Sequence, residues 1–188
     1  SSNACECSGE GVAVFECTCW SCVGECGVVV AVCFCFGGGG DGDGGAVTGT
    51  VQGVFLGTTT TLSSDGGDIY VAGKGAQGVT ANCAAGVIAN QDLWVKSGAG
   101  KISIFGVSNA AAGSTYSSGL VFYGNTSRKT IISGSNSAAN AIVLSGNAGP
   151  TASMRSAGIF FHGQTAGANV NNIIANTGTG GIQMTGRS

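Results

Sequence analysis

The residues best equipped for chemistry are cysteines. Eight of the nine stand at Cys5, Cys7, Cys17, Cys19, Cys22, Cys26, Cys33 and Cys35, and the ninth, Cys83, has no cysteine neighbour. Three pairs have Cys-x-Cys spacing, which on a strand puts both sulfurs on one face because side chains alternate sides. Such a strand can be stapled twice to a neighbour, and eight cysteines in so short a segment fit a disulfide framework formed in an oxidising compartment. Eight cysteines allow 105 connectivities, and the sequence selects none of them. Cys17, Cys19, Cys22 and Cys26 are also close enough to converge on one metal ion or iron–sulfur cluster. Their spacing fits neither ferredoxin run, no second Cys-x2-Cys knuckle accompanies Cys19 and Cys22, and the lone His162 is distant. No Lys, Arg or His flanks these thiols to lower a pKa for redox work. The expectation is therefore disulfides, with no metal and no cofactor.

Other reactive groups are sparse. After residue 45 the only carboxylates are Asp65, Asp68 and Asp92. Asp65 and Asp68 flank a Gly-Gly turn and are expected to cap it; as an acid–base pair they would be the minimum for a polysaccharide-degrading enzyme. His162 sits between Phe161 and Gly163 with no nucleophile pattern around it, and is expected to be structural. Asp41-Gly-Asp43 lacks both the spacing and the bidentate Glu of a calcium loop. Trp20, Trp94, Tyr70, Tyr116, Phe122, Tyr123, Phe160 and Phe161 are expected mainly to fill a core, and would stack on carbohydrate only if several pointed outward. The Thr58–Thr61 run lacks the regular Thr-x-Thr rows of an ice-binding face, and Asn125-Thr126-Ser127 is a single glycosylation sequon. No residue set names a reaction, and the chain is read as a non-enzyme.

Something must position these residues, and composition limits what it is. The 188 residues include 36 Gly and one Pro; 43% are hydrophobic and 9% charged, against about 25% charged in a typical domain. This is not a disordered profile, because enough apolar mass is present to bury. Seven basic residues, none before Lys74, form no stripe for phosphates, so nucleic acid is excluded as a partner. The longest apolar run, at positions 27–36, is too short to span a membrane as a helix. The chain begins at Ser1 without a Met or a basic leader, which fits a processed product or a piece of a longer chain.

Three regions follow: a Cys-rich β head over 1–36, a Gly/Asp linker over 37–45, and a repetitive body over 46–188. In the head, Val12–Phe15 and Val28–Phe36 read as strands. The body carries the pattern Ile-x-apolar-x-Gly four times, at Ile69/Val71/Gly73, Ile102/Ile104/Gly106, Ile142/Leu144/Gly146 and Ile182/Met184/Gly186. A Gly followed by apolar residues precedes each copy, at Gly53, Gly86, Gly119 and Gly158; the first two intervals are equal and the third is longer. Recurrence on this scale points to a solenoid. The period-two alternation predicts strands whose Ile, Val, Leu and Met face inward, and a third, weaker strand is expected at 93–95, 130–132 and 172–174. Turn glycines are expected to accept positive φ. Thr58, Asn90, Asn125 and Gln164 would form a polar ladder at one corner. The fold class is all-β: a short β-solenoid, or β-helix, preceded by a disulfide-stapled β head. One coil or two per unit remain open.

These Gly-led strands, alternating with Ile-x-apolar-x-Gly and separated by Gly/Asn/Ser/Thr turns, resemble the β-helical shafts of filamentous haemagglutinin-like exoproteins and autotransporter passengers, over residues 46–188. The resemblance implies an extracellular or cell-surface protein that serves as a fibre or adhesin. The expected function is a structural subunit of a self-assembling surface fibre, sheath or adhesive filament. Its partner would be a further copy of itself, end to end or head to body, with surface glycans as a second class of ligand. A monomeric carbohydrate-binding or adhesin fragment is the first alternative and the polysaccharide-degrading enzyme the second. Intact mass measured before and after reduction tests the cysteine assignment: a gain of two hydrogens per bridge is expected, and an unchanged mass with metal released by chelator would replace disulfides by a thiolate site.

Overall fold

A computed structural model describes residues 28–33, 50–56, 59–64, 66–77, 83–109, 116–124, 129–148, 155–163 and 171–188. They form strands β1 (Val28–Cys33), β2 (Thr50–Leu56), β3 (Thr60–Ser64), β4 (Asp68–Gln77), β5 (Cys83–Ala89), β6 (Leu93–Ser97), β7 (Ile102–Asn109), β8 (Tyr116–Gly124), β9 (Lys129–Gly134), β10 (Ile142–Asn147), β11 (Arg155–Gly163), β12 (Asn171–Asn176) and β13 (Ile182–Arg187). No helix occurs among the described residues, and so none long and apolar enough to cross a membrane.

Every third strand joins the same sheet, and all pairings are parallel. The first sheet has the order β1-β4-β7-β10-β13, the second β11-β8-β5-β2 and the third β12-β9-β6-β3. The chain therefore visits the second, third and first sheets in turn and rises one strand per circuit, which makes a three-sided, solenoid-like body. Each sequence unit is one coil. Five strands at about 4.8 Å spacing give the first sheet a height of about 19 Å.

The first sheet carries the columns expected from the repeat. Ile69 pairs with Ile102, Ile142 and Ile182 in succession, and Val71 with Ile104, Leu144 and Met184. The inward members of the lower coils are fully buried, together with Val54, Val87 and Leu120 of the second sheet and Leu62, Val95 and Ile132 of the third. The third strand exists in all four coils, including the first, where β3 contributes Leu62 from within a Thr/Ser run. Val28–Cys33, grouped by sequence with the head, lies in the same sheet: Val29 pairs with Ile69, Ala31 with Val71 and Cys33 with Gly73. The remainder of the head, and the linker, lie outside the described residues.

The repeating glycines have a different task from the one the turn chemistry predicts. Gly73, Gly106 and Gly146 of the first sheet face Gly86, Gly119 and Gly158 of the second so closely that a Cβ on any of them would lie well inside 3.0 Å of the opposing backbone. None of them has a left-handed φ, so what glycine supplies here is the missing side chain. The two sheets cross at this seam. On one side lies the apolar core; on the other, the tails of the first-sheet strands meet the beginnings of the second-sheet strands through small residues. There Ser117 Oγ donates to the Ala148 carbonyl (2.9 Å) and lies 3.2 Å from Ser108 Oγ.

Replacing glycine by alanine where the backbone has room stabilises a fold by about 0.4–1 kcal/mol, through the unfolded chain. Gly66, with nothing within 4 Å of its added Cβ, should behave in that way. Gly106→Ala should do the reverse and cost about 1–3 kcal/mol, because only backbone can give way. Urea denaturation of the two variants side by side checks the difference in sign.

Candidate functional site

The reactive residues do not converge. Of the eight head cysteines only Cys33 lies within the described residues, where β1 aligns it with the seam position of Gly73. Cys5, Cys7, Cys17, Cys19, Cys22, Cys26 and Cys35 lie outside them, as do Trp20, Asp41, Asp43 and Asp65. Cys83 opens β5 and pairs with Thr50. Asp68 Oδ1 accepts the backbone N–H of Lys101 at 2.8 Å, and Asp92 Oδ1 that of Lys129 at 2.7 Å. Each carboxylate thus ties its own coil to the next. They stand at different corners, Asp68 where the chain enters the first sheet and Asp92 where it enters the third. His162 packs against Tyr123 (4.9 Å between ring centroids) and Phe160 (5.3 Å), with its Nδ1 buried and making no hydrogen bond.

Aromatic side chains divide between the interior and the outer faces. Phe122 is buried, with Phe161 stacked on it at 5.3 Å. Tyr70, 40% exposed, lies on the outer face of the first sheet with Phe105 at 5.4 Å. Of the corner residues expected to form a ladder, Thr58, Asn125 and Gln164 lie outside the described residues, while the Asn90 backbone N–H donates to the Leu56 carbonyl at 3.0 Å. A side-chain ladder stands at another corner, between the third and first sheets. Ser97 Oγ donates to the Gly67 carbonyl, Asn136 Nδ2 to the Ala99 carbonyl, and Asn176 Nδ2 to the Asn136 and Gly180 carbonyls. Each of the three side chains clamps its coil to the one below. The signal was present in sequence as Ser-Gly, Ser-Asn and Asn-Thr-Gly after the weak strand, but the residue type changes and Asn136 stands two places beyond Gly134, the strand partner of Asn176.

The feature that stands out is the C-terminal end of the coil. Among the described residues, no strand pairs with the outer edges of β11, β12 and β13. Four of the six large exposed hydrophobic side chains among the described residues belong to this last coil: Phe161, Ile173, Ile182 and Met184. Ile182 and Met184 are 42% and 55% exposed, whereas their column partners Ile142 and Leu144 are fully buried. The same sequence pattern thus gives a core position in three coils and a surface in the fourth. Charged side chains, bulges and proline, the usual devices that blunt an edge, are missing from the inward positions of these strands.

One irregularity lies just beneath this end. Thr130 is fully buried and Asn172 pairs with it one coil above; the Thr130 hydroxyl and both amide atoms of Asn172 are buried without hydrogen bonds. Leu93 occupies the same column one coil below Thr130. Comparison of the chain with protein-family models, with curated proteins and with solved structures returns no match. The site is therefore read from its own geometry.

A buried hydroxyl without a partner costs about 1–3 kcal/mol. Thr130→Val keeps the shape and removes that hydroxyl, so a gain of about 1 kcal/mol is expected, seen as a higher thermal midpoint. A loss of similar size would mean that the hydroxyl is satisfied.

Proposed function

We propose that the chain is a structural subunit of an extracellular, self-assembling fibre, sheath or adhesive filament, and not an enzyme. The observation that carries the reading is the last described coil, whose three parallel strands meet no described strand on one side and which holds the half-exposed Ile182, Met184 and Phe161. Parallel edges of this kind recruit further strands, and exposed apolar side chains gain by being covered. The resemblance to haemagglutinin-like shafts points the same way, and the surface location comes with it. The Cys-rich segment would supply stapling within a copy or cross-links between copies. The engagement of Asp68 and Asp92 as separate inter-coil ties argues against an acid–base pair.

A monomeric glycan-binding or adhesin fragment is the second reading, favoured by the exposed Tyr70 beside Phe105. Aromatic faces of this kind stack on sugar rings. The two readings part in solution. Purified chain, with and without reductant, is examined by sedimentation and negative-stain electron microscopy. Fibres are expected in at least one condition. A chain that stays monomeric at high concentration in both, and loses glycan binding on Tyr70→Ala, would replace the fibre by the second reading.

A further inference from the structure

We infer that the stack has a built-in parting plane between its third coil (β8, β9 and β10) and its fourth (β11, β12 and β13), at which the fourth comes away as a unit while the coils below stay folded. Such a plane operates whether or not the chain forms fibres.

The backbone does not distinguish this junction from the others. Parallel pairing crosses it in all three sheets, and bonds beyond the strands continue it: the Thr177 N–H donates to the Gly134 carbonyl at 2.8 Å and the Ala148 N–H to the Arg187 carbonyl at 2.9 Å. Between the first two coils the Thr60 N–H donates in the same way to the Asp92 carbonyl at 2.8 Å, and the Gly98 N–H to the Ser64 carbonyl at 2.9 Å. Side chains do distinguish it. Among the described residues, the buried side-chain polar atoms that make no hydrogen bond are Thr130 Oγ1, His162 Nδ1, both amide atoms of Asn172 and Asn176 Oδ1. All of them meet at this one plane, since Thr130 pairs with Asn172, Tyr123 with His162 and Gly134 with Asn176. Elsewhere in the stack the buried hydroxyls of Ser97, Ser108 and Ser117 are bonded.

A polar atom buried without a partner regains hydrogen bonds in water, so opening here recovers what the contact withholds. An apolar pair such as Leu62 on Val95 recovers nothing and resists opening. In a linear array each coil is held only by its neighbours, and the weakest junction sets where the array opens.

The fourth coil is built to leave whole. Gly158 closes on Gly186 and the Arg187 nitrogen as tightly as Gly119 closes on Gly146 and the Asn147 nitrogen one coil below, so β11 and β13 keep their crossing. Asn176 Nδ2 donates to the Gly180 carbonyl at 2.7 Å and ties the corner between β12 and β13. Its departure uncovers Leu120, Phe122 and Leu144, which Ile159, Phe161 and Met184 cover in the closed stack.

Native-state hydrogen exchange on the whole chain, resolved by strand, tests the plane. Amides of β11, β12 and β13 should share one opening event and be less protected than those of β5, β6 and β7. Equal protection in the two groups would overturn the plane, because the stack would then open only as a whole. Thr130→Val combined with Asn172→Leu replaces the unpartnered atoms of β9 and β12 by apolar ones in the column of Leu93. Protection should then rise about tenfold or more, the equivalent of relieving one buried unpartnered group, and by the same factor in β13 as in β12. The response of β13 is the telling one, since it lies in another sheet from the substitutions. A rise confined to β9 and β12, no rise, or a fall would overturn the plane: the first means strand-by-strand fraying, and the others mean that the polar atoms do not weaken the junction. If the double variant does not fold, Thr130→Val alone is measured in the same way and judged by the same outcomes.

Discussion

The close approach of two backbones at the glycine seam is the constraint on which the rest of the structure depends. The glycines of β4, β7 and β10 must each meet a second-sheet glycine, because a Cβ there would occupy backbone. Fixing those two points fixes the crossing of the sheets and separates the apolar core from the small-residue compartment beyond it. It also sets which residues face inward: Ile and Val or Leu four and two places before the first-sheet glycine, and an apolar residue directly after the second-sheet one. Dispersion and apolar burial then hold each coil on the last, while hydrogen bonds across the parallel strands satisfy the backbone.

Among the described residues, the interior of the stack is nearly uniform, with Thr130 and Asn172 above Leu93 as the exception. Each coil buries the same kinds of residue, and the carboxylates within the described residues are spent on ties between coils. Among the described residues, the last coil has edges that no described strand pairs and half-exposed Ile182 and Met184, whereas the outer faces carry scattered aromatic and polar side chains.

Much of the body was legible from alternation alone. Ile69, Ile102 and Ile142 each stand two places from a second apolar residue, and the columns follow directly from strand geometry. The role of the glycines was not legible. Gly53 and Gly73 belong to different strands with a third between them, and only the folded coil brings them together, so each looked like a local mark. Leu62 was hidden because a single apolar residue in a Thr/Ser run carries little pattern. Cys33, standing where later coils have glycine, concealed the kinship of β1 with β4. The ladder of Ser97, Asn136 and Asn176 escaped because its residue type changes and Asn136 lies two places off the strand position of Asn176. The openness of Ile182 and Met184 could not be read at all, since exposure depends on what stacks above and the pattern of the fourth coil matches those below.

The uneven length of the coils has a consequence for the body as a measure of distance. The circuit from Ile69 to Ile102 is shorter in sequence than the circuits from Ile102 to Ile142 and from Ile142 to Ile182, yet the columns keep their register. The additional residues fall between strands and add nothing to the rise, which hydrogen bonding fixes at about 4.8 Å per circuit. The body is a ruler graduated in turns: its length counts circuits, and its girth can be altered at any corner without moving a mark.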